Sequence, residues 1–112
     1  MERRMGTVII SPAVLSTIAR LTTLSVPGVV RMASPGPGHL LGLRMADGVK
    51  VEVVDETVVL DLYIVASANV NMLQLSRDIQ YGVNRAIYDI VGMAVQEVNV
   101  HILDVDVGTP GQ

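Results

Sequence analysis

The 112-residue sequence contains no cysteine, no phenylalanine and no tryptophan, and only three tyrosines. Without cysteine there is no disulfide framework, no thiolate nucleophile and no thiolate metal site, so a cytoplasmic protein is the simplest expectation. Without Phe or Trp the interior has to be built from Val, Ile, Leu, Met and Ala, and an aliphatic, β-branched core favours strands. Also missing is any run of about 18 apolar residues, the length a membrane span requires. The most apolar stretch, Val58 to Val70, is interrupted by Asp61, Ser67 and Asn69 and alternates like a strand. Met1-Glu2-Arg3-Arg4 carries the charge of a signal peptide, but the apolar run behind it is only Val8 to Ile10 before Ser11-Pro12, too short for a secretory segment. Eight basic and eleven acidic residues are mixed along the chain, for a formal charge of −3, and they form no basic stripe. Nucleic acid and anionic lipid are therefore disfavoured as direct partners, and any membrane association has to pass through another protein.

What is present reads as one domain spanning residues 1–112, with its core in 6–107. A chain of this size buries very roughly two-thirds of its unfolded surface around one core. Thr7 to Ile10 is a short β-branched run, expected as a strand. Ser11-Pro12 then supplies an N-cap and a proline at the first helical position. Val14, Ile18 and Leu21 recur at helical spacing, with Leu15, Ala19 and Thr22 beside them, which predicts a first helix over 12–24. Pro27-Gly28 is turn chemistry, and Val29 to Met32 can make a brief strand. The Pro- and Gly-rich segment 33–42 is expected to be an exposed, mobile loop. Val49, Val51 and Val53, then Val58, Leu60, Leu62 and Ile64 after the turn Asp55-Glu56, predict an antiparallel hairpin with one apolar face.

A second helix follows, capped by Asn69 or Asn71. It carries the stripe Leu75, Ile79, Val83, Ala86, Ile87 and Ile90 and closes at Gly92. In the last strand, Val95 to Val107, the apolar phase switches from Val98, Val100 and Ile102 to Leu103, Val105 and Val107, which points to a bulge or an edge near Ile102. Residues 108–112 read as a frayed tail. The order β-α-β(β)β-α-β, with two helices on one face of a mixed, mainly antiparallel sheet, is an α+β two-layer sandwich.

Several stretches resemble the alkaline shock protein family, also called the envelope stress response family, of mostly Gram-positive and related bacteria. They are Gly6-Thr7-Val8-Ile9-Ile10-Ser11-Pro12 leading into Val14, Ile18 and Ala19; Val26-Pro27-Gly28-Val29; Gly48-Val49-Lys50-Val51; and Val91-Gly92-Met93-Ala94-Val95-Gln96-Glu97-Val98-Asn99-Val100. The resemblance covers about residues 6–107. It implies a cytoplasmic, non-enzymatic, self-associating protein linked to envelope stress and held near the membrane by a separate anchor protein. Short members also resemble proteins encoded beside a dihydroxyacetone-kinase-like or fatty-acid-kinase component.

The residues offer little for catalysis. His39 and His101 lie in different elements, and neither has a ligand partner at helix-face spacing. Ser67, His101 and Asp61 can be nominated as a triad, but no Gly-x-Ser-x-Gly elbow is present. Asp104 and Asp106 share a strand face at period two, which fits a solubilised edge better than a cation site. Pro35-Gly36-Pro37-Gly38-His39 lacks the donors and following helix of a phosphate loop. No catalytic residue, metal site or cofactor is expected.

Two candidate interaction surfaces remain. One is the back of the hairpin, where Val54, Val59, Tyr63 and Val65 interrupt an otherwise polar face and invite a second copy or a partner. The other is a ridge on the second helix, with Arg77, Tyr81, Arg85 and Tyr88 at spacings of three and four. These are residue types common in binding hot spots, although Arg85 and Asp89 also fit a solvated i,i+4 pair. The sequence thus reads as an oligomerisation and protein-interaction domain. A small RNA-binding domain, using the arginines and tyrosines of the ridge, and a metal-dependent enzyme, using His101 with Asp104, are the alternatives. Gly82, inside the second helix, costs about 1 kcal/mol relative to Ala, and with Ala86 it suggests close packing against a neighbour.

Overall fold

A computed structural model describes residues 4–35 and 45–108. Helix α1, Pro12–Ser25, begins where the sequence marks it: the Ser11 hydroxyl accepts from the backbone N–H of Ala13 at 3.2 Å, and Pro12 opens the first turn. Five strands follow the same chain order: β1 Val29–Met32, β2 Met45–Ala46, β3 Val49–Val54, β4 Thr57–Ser67 and, after the second helix, β5 Ala94–Asp106. Helix α2, Met72–Val91, is capped by Asn71, whose Oδ1 accepts from Gln74 N–H at 2.9 Å. It ends on Gly92 in the left-handed conformation, φ 83°, with the Gly92 N–H bonded back to the carbonyls of Ile87 and Tyr88.

The long strand β4 organises the sheet. On one side β5 runs parallel to it from Thr57 to Ser67. On the other side β3 and β1 share one edge, both antiparallel, with β3 along Thr57 to Leu62 and β1 along Ile64 to Ala66. The two-residue β2 pairs outside β3. Asp55 and Glu56, at φ 49° and 67°, close the β3–β4 hairpin with positive φ at both central positions, as a tight turn matched to strand twist demands. The parallel β4–β5 pair needs a crossover, and α2 supplies it.

Both helices lie on one face. α1 packs over β1 and β3, α2 packs over β5, and the helices pack against each other. The core between the layers is formed by Val49, Val51, Val58, Leu60, Leu62 and Ile64 from the sheet, with Leu15 and Ala19 from α1 and Leu75, Ile79, Val83 and Ile87 from α2. Thr23 is the one buried polar side chain among the described residues, and its hydroxyl donates to the Ala19 carbonyl at 2.7 Å.

The α+β two-layer architecture agrees with the sequence reading, with three local corrections. Residues 7–10 form no strand, and Val8 and Ile9 are 87% and 86% exposed. The buried stripe of α1 is Leu15, Ala19 and Thr23, whereas Val14 and Leu21 face outward. Small Ala19 lets the helix approach the sheet, and a helix whose only charge is Arg20 gives its hydrophobic pattern no polar side to fix the phase. At the end of α2, Ile90 leaves the predicted stripe and is exposed. The expected bulge in β5 is present: Ile64 pairs with Ile102 but Val65 with Asp104, which leaves Leu103 as the extra residue. A second shift, between Val58↔Val95 and Val59↔Glu97, sets Gln96 apart in the same way. Of the loop expected over 33–42, residues 36–42 lie outside the described residues, and Ala33 is tied down by an N–H bond to the Tyr63 carbonyl at 2.8 Å. Tail residues 109–112 also lie outside them.

Gly82 faces α1, where a Cβ would meet Thr22 Cγ2 at 3.6 Å, an ordinary contact distance. The helix crossing therefore does not require glycine there. Gly82→Ala is expected to keep the fold and to raise stability by up to about 1 kcal/mol through helix propensity, measured by urea denaturation. A loss of stability would show that the α1–α2 approach is tighter than this spacing indicates.

Candidate interaction surfaces

Strand alternation sends every second residue of the sheet away from the helices. On this second face the pairing aligns Glu52, Val59 and Glu97 in one row across β3, β4 and β5, and Lys50, Asp61 and Asn99 in the next. Tyr63 lies beside His101, and their rings stack with centroids 4.5 Å apart and planes 12° from parallel. His101 Nε2 is 2.9 Å from Asp61 Oδ1, so Asp61, Tyr63 and His101 form one connected cluster at the centre of the face. Among the described helices and strands none lies over it.

Of the four back-face residues expected to form a surface, Val54 is exposed and Val59 and Tyr63 are half-buried. Val65 is only 3% exposed, so it packs within the sheet and offers no contact area. On α2, Arg77, Tyr81, Arg85 and Tyr88 are all exposed. Arg77 donates to Gln80 Oε1 at 3.1 Å, and Arg85 donates to the Tyr81 hydroxyl at 3.1 Å. The expected Arg85–Asp89 pair is present at 3.4 Å. The Tyr81 hydroxyl and, less strongly, the Asp89 carboxylate stabilise the charged guanidinium and raise its pKa above the ordinary arginine value. Tyr81, Asn84, Arg85, Tyr88 and Asp89 line a shallow hollow of about 400 Å³.

The chemical constellations nominated from sequence do not assemble. His101 meets Asp61, but Ser67 lies four strand positions beyond Tyr63, about 13 Å away at 3.3 Å per residue, and its hydroxyl accepts from Asn69 N–H. Asp104 and Asp106 accept from nearby backbone N–H groups, those of Val105 and Gly108. Among the described residues no group of three or more His, Cys, Asp or Glu side chains is placed to hold a metal ion. His39 lies outside the described residues.

α1 carries a further exposed apolar row. Val14, Thr17, Leu21 and Leu24 recur at alternating spacings of three and four along the outside of α1, with Ile10 four residues ahead of Val14 in the segment before the helix, and all are exposed, Leu21 at 56%. This is the spacing of a helix–helix seam, legible in the sequence once the buried stripe is known to be the neighbouring one.

The chain is similar to three bacterial proteins described as uncharacterized. YqhY of Bacillus subtilis is 25% identical over 115 residues, which cover 99% of this chain and 85% of that protein. YloU of the same organism is 27% identical over 116 residues, covering 98% and 97%. Spy1535 of Streptococcus pyogenes is 27% identical over 100 residues, covering 88% and 78%. Among solved structures, two MamM CTD variants share the fold. One, in a zinc form, has a TM-score of 0.53 at 12% identity, covering 89% of this chain and 92% of that one. The other has a TM-score of 0.55 at 13% identity, covering 87% and 96%. Among the described residues no helix is long and apolar enough to cross a membrane. The model of the ASP23 family, the alkaline shock family of cell envelope-related function, matches residues 1–107, and the chain belongs to that family.

Proposed function

We propose that the chain is a non-enzymatic interaction domain, a single unit with its core in 6–107, that self-associates and acts in the cytoplasm, reaching the envelope through a partner protein. The observation that carries this reading is the uncovered second face of the sheet. The helices bury one side of β3, β4 and β5, while the other presents Val54, Val59 and the Tyr63–His101 stack among charges of both signs. Apolar groups set within a mixed-charge rim are the usual anatomy of a protein contact. The ridge Arg77, Tyr81, Arg85 and Tyr88 is a second contact surface, suited to a different protein because it lies on the opposite layer.

The test is the mass in solution as a function of concentration. The full chain should exceed 12.0 kDa and grow with concentration. Val59→Lys, placed between Glu52 and Glu97, should shift that mass toward monomer while the thermal transition is kept. A wild type that stays monomeric at high concentration sinks the reading. Affinity purification from the native cell then separates the partner classes that the family resemblance suggests, a membrane anchor or a kinase component of the dihydroxyacetone or fatty-acid type. The RNA-binding alternative is not favoured, because the sheet face carries Glu52, Asp61, Glu97, Asp104 and Asp106 against Arg31 and Lys50.

A further inference from the structure

The segment before α1 has the composition of a strand and none of its pairing. Thr7-Val8-Ile9-Ile10 is wholly β-branched, yet it joins no ladder, and Val8 and Ile9 remain almost fully in solvent. A run of this kind exposed on a monomer is a segment awaiting a sheet edge. The fold has such an edge. β5 is thirteen residues long and among the described residues pairs with β4 alone, so its other side presents backbone donors and acceptors, of which the Val98 carbonyl takes a hydrogen bond from Gln80 Nε2 at 3.0 Å. Between the two irregularities at Gln96 and Leu103, residues 97–102 keep a regular register, and the part beyond Val98, residues 99–102, is long enough for a four-residue partner.

The arm of the same chain is badly placed to use it. α1, which the arm leads into, lies over β1 and β3, and α2 occupies the side of the helical layer over β5. The free edge of β5 is therefore at the far side of the sheet from the helix that the arm begins. The other edges fit less well: β2 has two residues and β1 four, one of them Arg31. Charge selects the same edge. Arg4 stands just ahead of the β-branched run, and Asp104 and Asp106 stand just beyond the regular part of β5, all three exposed.

We propose that residues 7–10 complete a strand on a second copy of this chain: the arm of one protomer lies antiparallel along the free edge of β5 of another, bringing Arg4 to Asp104 and Asp106. The antiparallel direction follows from the charges, since it alone carries Arg4 toward the acidic end of β5. Exchanged reciprocally, two arms and two edges close into a two-fold dimer with no arm left over, which also blunts an edge that would otherwise recruit further strands. The inference rests on the proposed self-association but uses a different surface from the sheet face.

The experiment uses the full chain and sedimentation equilibrium. Wild type should show a dimer of twice the 12.0 kDa chain mass. Val8→Pro removes a backbone donor that faces the free edge, because Val8 lies opposite Val100 or Ile102, whose own N–H and C=O point away from β4; the arm supports nothing in its own fold, so the variant should leave the thermal transition unchanged and weaken dimerisation at least tenfold. Arg4→Asp should weaken it severalfold, and pairing it with Asp104→Arg and Asp106→Arg should restore it. Because the chain has no cysteine, an Ile9→Cys chain mixed with an Asn99→Cys or His101→Cys chain should give a disulfide joining the two different chains. If Val8→Pro dimerises like wild type while Val59→Lys does not, the arm exchange is wrong and the sheet-face reading stands. A proline variant that is monomeric, with neither charge rescue nor mixed disulfide, overturns the β5 site. A monomeric wild type overturns both.

Discussion

Leu62→Ala is expected to cost about 2–5 kcal/mol, the range for emptying a fully buried leucine site. Leu62 has no solvent exposure and sits in the middle of β4, with Val49 beside it on β3 and Val100 on β5. The core around it contains Val, Leu, Ile and Ala and no aromatic ring. The neighbours are held in ladders on both sides, so the sheet cannot close over the gap without giving up backbone hydrogen bonds. A domain of this size has only about 5–15 kcal/mol in total, and about 1 kcal/mol moves its midpoint by several degrees. A fall of about 10 °C or more in the thermal midpoint is therefore expected, while Leu73→Ala, exposed on α2, should stay within about 0.5 kcal/mol of wild type. If the two variants melt alike, the core is not where the structure places it.

How far the sequence could foretell this fold depends on where charge lies. In α2, Arg77, Asp78, Arg85 and Asp89 occupy the outer side, so the apolar stripe Leu75, Ile79, Val83 and Ile87 has only one reading. α1 has no such marker on its outer face. Val14, Leu21 and Leu24 are as apolar as Leu15 and Ile18, and tertiary packing alone decides which row goes inward. That same uncharged outer row becomes informative afterwards, because it has no reason to be apolar in an isolated helix. The phase change in β5 was legible as a bulge because a period-two pattern cannot switch faces without an extra residue. Its companion at Gln96 stands at the strand's start, where too few residues precede it to establish a phase.

The interaction face was half legible. Period two puts Asp61 and Tyr63 on one side of β4, and it puts Asn99 and His101 on one side of β5. Which of them face each other follows from the register of a parallel pair separated by a whole helix, and no local pattern sets that. The Asp61–His101 contact at 2.9 Å and the stacked Tyr63 ring are consequences of the long-range register. Val65 shows the opposite error. It shares the strand parity of Val59 and Tyr63, but it lies where β1 joins the edge, opposite Arg31, and is buried there. Thr7 to Ile10 is the remaining case: its local preference for strand is strong, and no edge within its own chain receives it.

Gly48→Ala is expected to cost about 3 kcal/mol, far more than Gly92→Ala, although both glycines have nearly the same φ, 81° and 83°. Removing either glycine incurs the left-handed backbone penalty, about 1 kcal/mol. Around Gly92 a Cβ would meet nothing within 4 Å, so that penalty is the whole effect. At Gly48 the Cβ would come within 2.7 Å of the Ala33 carbonyl oxygen and 3.1 Å of the Tyr63 carbonyl oxygen, both fixed backbone atoms. The cause is the sharing of one β4 edge by two strands. Tyr63 donates its N–H to the Gly48 carbonyl at 2.9 Å, where β3 begins, and accepts from Ala33 N–H at 2.8 Å, where β1 ends. Only a residue without a side chain lets the two strand ends abut there, and separating them puts both hydrogen bonds at risk, each worth about 1 kcal/mol net. The damage should also reach the open face, because Tyr63 carries the ring that stacks on His101. Gly48→Ala should therefore lower both the urea midpoint and the self-association constant, whereas Gly92→Ala should lower only the first, and by less. Equal losses of stability in the two variants would mean that β1 and β3 do not meet at Tyr63.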